Sequence, residues 1–323
     1  MTFWEGRSSG SMEYQDPPRG LILDLITPIE NGDAIDIGGL QRLLEKVAEH
    51  VHGILIAGPW AGQGNILSLK VRKQLLERTM AITPRALPLF VWITGKDEAD
   101  TRRNMIALQK VTESRRYDAP IYWVDTPLLY HSNRGLPTLY EELFRLADRP
   151  FILVNDPVSV SQVRSSIKRK NIRTSILKEM AIMDFISGLI FLGSMDRAYN
   201  YQKAVRKHSN FRIYDGDEAR FLEFPSLSGV ISAGANLAPD KWRTITESSL
   251  HLNETTGDYP DSMKQLWETG QFLHQLRDLY SSNTPELIKW VLAEMGILEH
   301  TPTLEENNED LTTTKENLIK ILS

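Results

Sequence analysis

The chain has 323 residues, 41% of them hydrophobic and 24% charged, a balance that sustains a packed core and excludes global disorder. Its 37 basic and 42 acidic side chains leave a net charge of −5, which argues against nucleic acid or an anionic membrane as partner of the whole chain. The absence of cysteine excludes disulfides, thiolate nucleophiles, iron–sulfur clusters and cysteine-bound zinc, and fits a reducing, cytoplasmic setting.

Residues 1–19 read as an N-terminal arm. They carry Trp4, Glu5, Glu13, Asp16 and two prolines, without the apolar stretch of a secretory signal. Residues 20–242 then alternate between short β-rich runs and amphipathic ones. Strands are predicted at Leu21–Ile29, Gly53–Ala57, Pro88–Thr94, Ala119–Asp125, Phe151–Asn155, Ile186–Leu192, Phe211–Asp215 and Gly229–Ala233. Nearly continuous apolar runs are the mark of strands buried on both faces of a parallel sheet. Helices are predicted between them at Ile37–His50, Leu69–Thr83, Glu98–Glu113, Leu136–Ala147, Ser175–Met183, Arg197–Lys207 and Glu218–Phe224. Eight such units predict a (β/α)8 TIM barrel. A doubly wound open sheet is the alternative. It calls for a glycine-rich loop after the first strand, where this chain has Thr27-Pro28-Ile29.

Residues 243–300 read as a C-terminal helical extension, with helices at Asp261–Tyr280 and Pro285–Gly296. The second is expected to take Thr284 as N-cap and to stop at Gly296. Residues 301–323 read as an acidic, mobile linker followed by a short helix at Thr312–Leu322. The longest apolar run, Phe185 to Gly193, is too short to cross a bilayer. The seven histidines are scattered and none forms a His-x-x-x-His pair beside a carboxylate, so neither a metal nor a cofactor is expected.

In a TIM barrel the chemistry lies at the C-terminal ends of the strands. The residues expected to line that mouth are Thr27 after the first strand and Trp60, Ala61, Gly62 and Gln63 after the second. They continue with Asp125, Leu129 and Tyr130 after the fourth, Asn155 and Asp156 after the fifth, Asp215 and Asp217 after the seventh, and Ser232 at the eighth.

In order and spacing, Thr27-Pro28, Gly62 with Leu67-Ser68, Thr126-Pro127, Asn155-x-Pro157, Gly216-Asp217, Gly229-Val230-Ile231-Ser232, Ala235-Asn236 and Pro239 line up with a known pattern. Over about Gly20 to Gly296 the chain resembles the dihydrodipicolinate synthase / N-acetylneuraminate lyase family of pyruvate aldolases. The resemblance implies a barrel lyase, a small oxo-acid or related metabolite as ligand, and a homodimer or homotetramer. It also implies a Schiff-base mechanism, in which a strand-6 lysine condenses with pyruvate while tyrosine and threonine hydroxyls relay protons.

Those working groups are missing. The family's Tyr-Asn-x-Pro reads Val154-Asn155-Asp156-Pro157, and its Gly-Thr-Thr-Gly-Glu reads Pro59-Trp60-Ala61-Gly62-Gln63. Its Pro-Tyr-Tyr reads Pro127-Leu128-Leu129, with Tyr130 one position off. Two alignments compete for the lysine. Lys178-Glu179 mimics the family's pair but lies in a predicted capped helix, Thr174 to Met180. Gly188-Leu189-Ile190 keeps the spacing to Gly216-Asp217 and puts isoleucine where the amine belongs. Isoleucine forms no imine, and valine and alanine pass no protons.

Other residues carry paired readings. Lys96 is a relocated nucleophile or a solvated loop lysine beside Asp97 and Glu98. Asp215, Asp217 and Glu218 are an acid–base or Mg²⁺ cluster, or a structural loop favouring a helix dipole. Asp125 and Asp156 bind a ligand or cap turns. Trp60 fills the space of a substrate carboxylate or offers a stacking platform. The basic run Arg164, Lys168, Arg169, Lys170 and Arg173 is a nucleic-acid or phosphate contact or, since no aromatics are interleaved, a solvated insertion or subunit contact. Two functions follow: a divergent lyase whose chemistry dispenses with the strand-6 lysine, or a non-catalytic ligand-binding or structural relative. If Lys178 is the Schiff-base lysine, the chain is instead an active aldolase.

Overall fold

The computed structural model describes residues 14–30, 34–84, 86–163, 169–225, 227–252, 261–299 and 309–322. Eight parallel strands close into a barrel in chain order: β1 Gly20–Asp24, β2 Gly53–Ile56, β3 Leu89–Trp92, β4 Ile121–Asp125, β5 Phe151–Asn155, β6 Ile186–Phe191, β7 Arg212–Asp215 and β8 Gly229–Ser232. Strand β1 pairs with both β2 and β8, which seals the barrel. Helices α1 Ile37–Val47, α2 Leu69–Ile82, α3 Glu98–Ser114, α4 Leu136–Leu146, α5 Pro157–Val163, α6 Thr174–Met180, α7 Met195–Val205, α8 Glu218–Glu223 and α9 Pro239–Ser249 alternate with the strands. Helices α10 Asp261–Tyr280, α11 Thr284–Glu294 and α12 Glu309–Leu322 form the C-terminal helical region.

Two hydrophobic clusters divide the strands by side-chain parity. Leu21, Leu23, Trp123, Leu153, Ile213 and Val230 face outward and pack with the helices. Ile22, Leu55, Phe90, Ile152, Ile190 and Tyr214 face inward and fill the barrel. The apolar stripe of α1 buries Leu40, Leu43, Leu44 and Val47, and Asp36 caps its start by accepting from the Gly39 amide at 2.6 Å.

Several predicted bounds shift. The first strand stops at Asp24, because Leu25 and Ile26 are buried but lie on the outgoing loop. Helices α5 and α9 stand where no helix was predicted, and α9 runs through residue 242. Helix α11 begins at Thr284 with Asn283 as its cap residue, so Thr284 is not the N-cap. Gly296 does end that helix, at φ 70°. The expected cap of α6 is likewise absent: the cap residue is Arg173 and no side chain bonds the first turn.

The predicted linker at 301–308 and the basic residues Arg164 and Lys168 lie outside the described residues. Of the N-terminal arm, residues 14–19 are described. They cross the N-terminal end of the barrel, where Tyr122 Oη donates to the Gln15 carbonyl at 2.8 Å and Tyr214 Oη to the Pro18 carbonyl at 2.6 Å. No helix among the described residues is long and apolar enough to cross a membrane.

Candidate active site

At the C-terminal end of the barrel, neighbouring positions on a strand alternate between its two faces. A strand-end aspartate can therefore face either the barrel axis or the helices. Asp125 faces the helices. It is fully buried and accepts from Thr94 Oγ1 at 2.7 Å, Tyr130 Oη at 2.6 Å and Tyr140 Oη at 2.7 Å. Burial raises its pKa, and these donors pull it back.

Asn155 also points outward. It accepts from the Ile172 amide at 2.9 Å and Tyr201 Oη at 3.1 Å, and donates to Asn171 Oδ1 and the Leu192 carbonyl. Asp215 takes a two-pronged ion pair from Arg220, at 2.5 and 2.9 Å. Ser232 donates to Glu218 Oε1 at 2.6 Å and accepts from the Ala235 amide. The expectation that Asp125, Asn155, Asp215 and Ser232 line the mouth is thus corrected: all four are spent on holding helices to the barrel. Tyr130 is tied to Asp125, and Leu129 packs on the outer cluster instead of pointing inward.

The acidic residues after β7 do not act as one carboxylate cluster. Asp217 caps α8 through the Ala219 amide at 3.0 Å, and Glu218 is held by Ser232, the Gly234 amide and Tyr280 Oη. Asp156 is a helix cap too. It accepts from the amides of Val158 and Ser159 at 3.1 and 3.0 Å and from Ser159 Oγ at 2.6 Å. Trp60 Nε1 reaches its second oxygen at 3.3 Å, and the Trp60 ring rests on the inner cluster. The capping hydrogen bonds of Asp156 are thus present, and the partly buried Trp60 packs against the inner cluster beside it.

The inner face itself is hydrocarbon and aromatic. Ile190 is fully buried, and its β-sheet partners are Val154 on β5 and Tyr214 on β7. All three belong to the inner cluster. Lys178 is exposed on α6, and Lys96 is exposed in the loop after β3, 3.7 Å from Asp100. Neither is brought to the barrel axis.

The loop after β2 is tightly folded. Ala57 and Gln63 take left-handed φ angles of 52° and 53° without being glycine. Thr27 Oγ1 bonds the Gly62 carbonyl at 2.7 Å, and Arg72 bonds the carbonyls of Thr94 and Gly64. Gln63 Nε2 donates to Glu286 Oε1 at 2.9 Å and its carbonyl accepts from Lys289, which ties the loop to α11.

Three features at the mouth were not anticipated. Asp24 ends β1 on the inward face of Ile22. It is 2% exposed, and burial pushes its pKa up to about 7. Arg72 is buried beneath the β2 loop with its guanidinium 4.8 Å from the centre of the Trp92 ring. Lys289, also buried, has its pKa lowered to about 8 by desolvation. Asp24 sits within the apolar run Leu21 to Ile26, where only knowledge of the strand's parity could have singled it out. On the far flank, carboxylates of Glu30, Asp36 and Glu299 come within 4.8 Å, but both Asp36 oxygens are occupied by the amides of Gly39 and Glu299.

Comparison with known proteins agrees with this architecture. Residues 17–322 match the model of the Dihydrodipicolinate synthetase family. A 4-hydroxy-tetrahydrodipicolinate synthase of Rickettsia akari (strain Hartford) is 27% identical over 94% of this chain and 97% of its own. The dihydrodipicolinate synthase of Bacteroides thetaiotaomicron shares the fold with a TM-score of 0.76 at 19% identity, covering 95% of this chain and 99% of its own. The chloride-inhibited dihydrodipicolinate synthase of Acinetobacter baumannii, solved with pyruvate, does so with a TM-score of 0.73 at 18% identity, over 94% and 98%.

Proposed function

The chain belongs to the dihydrodipicolinate synthetase family, a lyase lineage, and from that premise we propose that it is a divergent member that has lost the imine-forming aldol chemistry. The observation that carries this reading is Ile190. It occupies the β6 position where the family resemblance calls for an amine, and it is sealed between Val154 and Tyr214 inside the barrel. An imine needs a nucleophilic nitrogen in reach of the ketone, and a proton relay needs hydroxyls or acids. Isoleucine and valine supply neither. Lys178 and Lys96 stand exposed outside the barrel, which weakens the reading of either as a Schiff-base lysine.

The mouth of such a protein serves binding or structure in place of pyruvate condensation. The pyruvate named with the Acinetobacter relative is the natural ligand to test, and weak or absent binding is expected here. A homodimer or homotetramer is part of the same reading. Met263 and Trp267 lie one turn apart and exposed on α10, an apolar pair suited to a subunit contact.

The test is chemical trapping. Pyruvate and borohydride are added to the intact protein and its mass is measured. The expected mass is unchanged. A stoichiometric adduct on Lys178 would restore the aldolase assignment, and one on Lys96 would identify a relocated nucleophile.

A further inference from the structure

We propose that the cleft between the loop after β4 and the segment leading into α6 binds a phosphate group, free or as the monoester of a small metabolite, through Arg134, Arg169 and Arg173. The site lies on the outer side of the barrel top. The proposal therefore goes beyond the reading above and does not rest on the loss of imine chemistry.

The sequence concentrates its basic residues in one run, and the described part of that run holds Arg169 and Arg173. The fold brings Arg134 to them from a different loop. The three arginines line a cavity of about 130 Å3 together with His131, Ser132 and Asn133. No carboxylate lines it, and none of the three arginines has an ion-pair partner among the described residues. Arg102, Arg115, Arg116, Arg220 and Arg243, by contrast, each lie against a carboxylate. In a chain of net charge −5, three unneutralised guanidinium groups around one cavity make a local field of the opposite sign.

The two walls are fixed to each other before any ligand arrives. Asn133 is buried. Its side-chain oxygen accepts from the Arg173 amide at 2.7 Å, and its Nδ2 donates to the Asn171 carbonyl at 3.0 Å. The second wall is also fixed to the barrel. Asn155, at the end of β5, accepts from the Ile172 amide at 2.9 Å and donates to Asn171 Oδ1 at 2.9 Å. On the first wall, Gly135 at φ 79° turns the chain from Arg134 into α4. Binding then has only side chains to order, which keeps its entropic cost low.

Size and charge choose the ligand. Pockets for drug-sized molecules measure about 300–1,000 Å3, so this cavity takes one small group. A guanidinium presents its N–H donors as a planar fork that matches phosphate and carboxylate oxygens alike. A phosphate monoester carries a charge of about −1.5 to −2 at pH 7 and three acceptor oxygens, so it answers three arginines better than a monocarboxylate does. No aromatic side chain lines the cavity for a base to stack on, which favours a small phosphate over a nucleic-acid strand.

The experiment is calorimetric titration of the full chain with sodium salts of inorganic phosphate, glycerol 3-phosphate and acetate at equal ionic strength. Both phosphates should bind at a single site, and acetate about tenfold or more weakly. Arg134→Ala, Arg169→Ala and Arg173→Ala should each weaken phosphate binding about tenfold. Arg173→Lys, which keeps the charge and loses the fork, should weaken it less. Arg116→Ala, which removes an exposed arginine paired with Asp118, should leave it unchanged. All three site arginines are exposed, so these truncations spare the core. Raising sodium chloride from about 0.05 to 0.5 M should weaken binding several-fold. Tighter binding of the ester assigns the site to a phosphorylated metabolite and tighter binding of inorganic phosphate to the free ion, and either upholds the site. The proposal is overturned by no saturable binding of either phosphate up to about 30 mM, by binding that the arginine truncations do not weaken, or by acetate binding as tightly as phosphate. It is overturned equally by a short single-stranded oligonucleotide that displaces phosphate and binds more tightly, which would make the basic run a nucleic-acid contact. No step here uses pyruvate or borohydride, so this proposal and the loss of imine chemistry fail separately.

Discussion

Asp125 and Asp24 are the same residue at the same depth, and they live in opposite chemical settings. Each ends a barrel strand and each is buried, at 0% and 2% exposure. Asp125 looks outward, where the helix layer supplies the Tyr140 hydroxyl and the adjoining loops supply Thr94 and Tyr130. Asp24 looks inward, where the wall is Ile, Val and aromatic carbon and one loop supplies amide donors. The outer face of the barrel top is a finished polar network that locks helices in place. The inner face, where the fold family keeps its chemistry, is hydrocarbon with one imperfectly satisfied acid.

The strongest attack on that contrast is to put charge into the inner face. Ile190→Lys buries an ammonium in the hydrocarbon of the inner cluster. Burial lowers a lysine pKa by about 3–5 units, and since the cost at pH 7 is capped at that of deprotonating a free lysine, the expected loss of stability there is about 4–5 kcal/mol. The unfolded lysine binds its proton more tightly than the folded one, so stability rises with pH and part of the loss is recovered near pH 10. Urea unfolding at the two pH values measures this. A well-tolerated lysine would mean that water reaches the barrel axis and that the inner face is a pocket.

Next comes removal of the outer hub. Asp125→Ala leaves three buried hydroxyls without their acceptor and opens a small void. An unpaired buried polar group costs about 1–3 kcal/mol, so the sum expected from urea midpoints is about 3–5 kcal/mol. A loss under about 1 kcal/mol would show that the network rearranges easily and is not a lock.

The inner acid gives a smaller effect with a distinctive pH signature. The folded pKa of Asp24 is raised to about 7 from the ordinary 3.8, chiefly by burial. The unfolded carboxyl therefore releases its proton first as pH rises. The stability it contributes is complete below about pH 4 and is lost as pH climbs to about 7. Asp24→Asn removes this dependence. Relative to Asp24→Asn, the wild type should lose about 2–4 kcal/mol between pH 4 and pH 8. Parallel curves for the two proteins would place the Asp24 carboxyl in an ordinary, solvated setting.

How much of this was legible in the sequence follows from the same parity. The barrel was, because buried parallel strands are written as apolar runs and the intervening helices carry apolar stripes. Strand bounds were less so, since Leu25 and Ile26 continue the apolar run while the backbone has already left the sheet. Helix α5 was hidden by its length and its valines, which favour strands. Placing residues at strand ends identified the right loops but not the right face. A run such as Ile121 to Asp125 is buried on both sides, so no alternation reveals which way Asp125 turns. Ile190 was readable through spacing to Gly216. Asp24 was not, because its partners, Ala61 and Gly62, lie in a loop distant in sequence.

The smallest of these effects concerns Asp156, which stands between the two settings. Its parity is that of Ile152 and Val154, so its side chain starts from the inner face. The carboxyl then turns over the end of β5 and caps α5 through the Val158 and Ser159 amides, with Trp60 Nε1 on its second oxygen. If its role is that of the outer network, namely to hold a helix, Asp156→Ala should cost about 1 kcal/mol, the usual loss of an N-cap. Asp156→Ser, which keeps a capping oxygen but cannot reach Trp60 as well, should recover most of that. The Trp60 contribution to the emission of the seven tryptophans, taken as the difference between each protein and its Trp60→Phe counterpart, separates the two contacts. It should change in both variants, because both release the indole N–H, while stability falls only in Asp156→Ala. Equal destabilisation by Ala and Ser would assign the energy to the Trp60 contact, making Asp156 a part of the inner lining that holds the mouth shut.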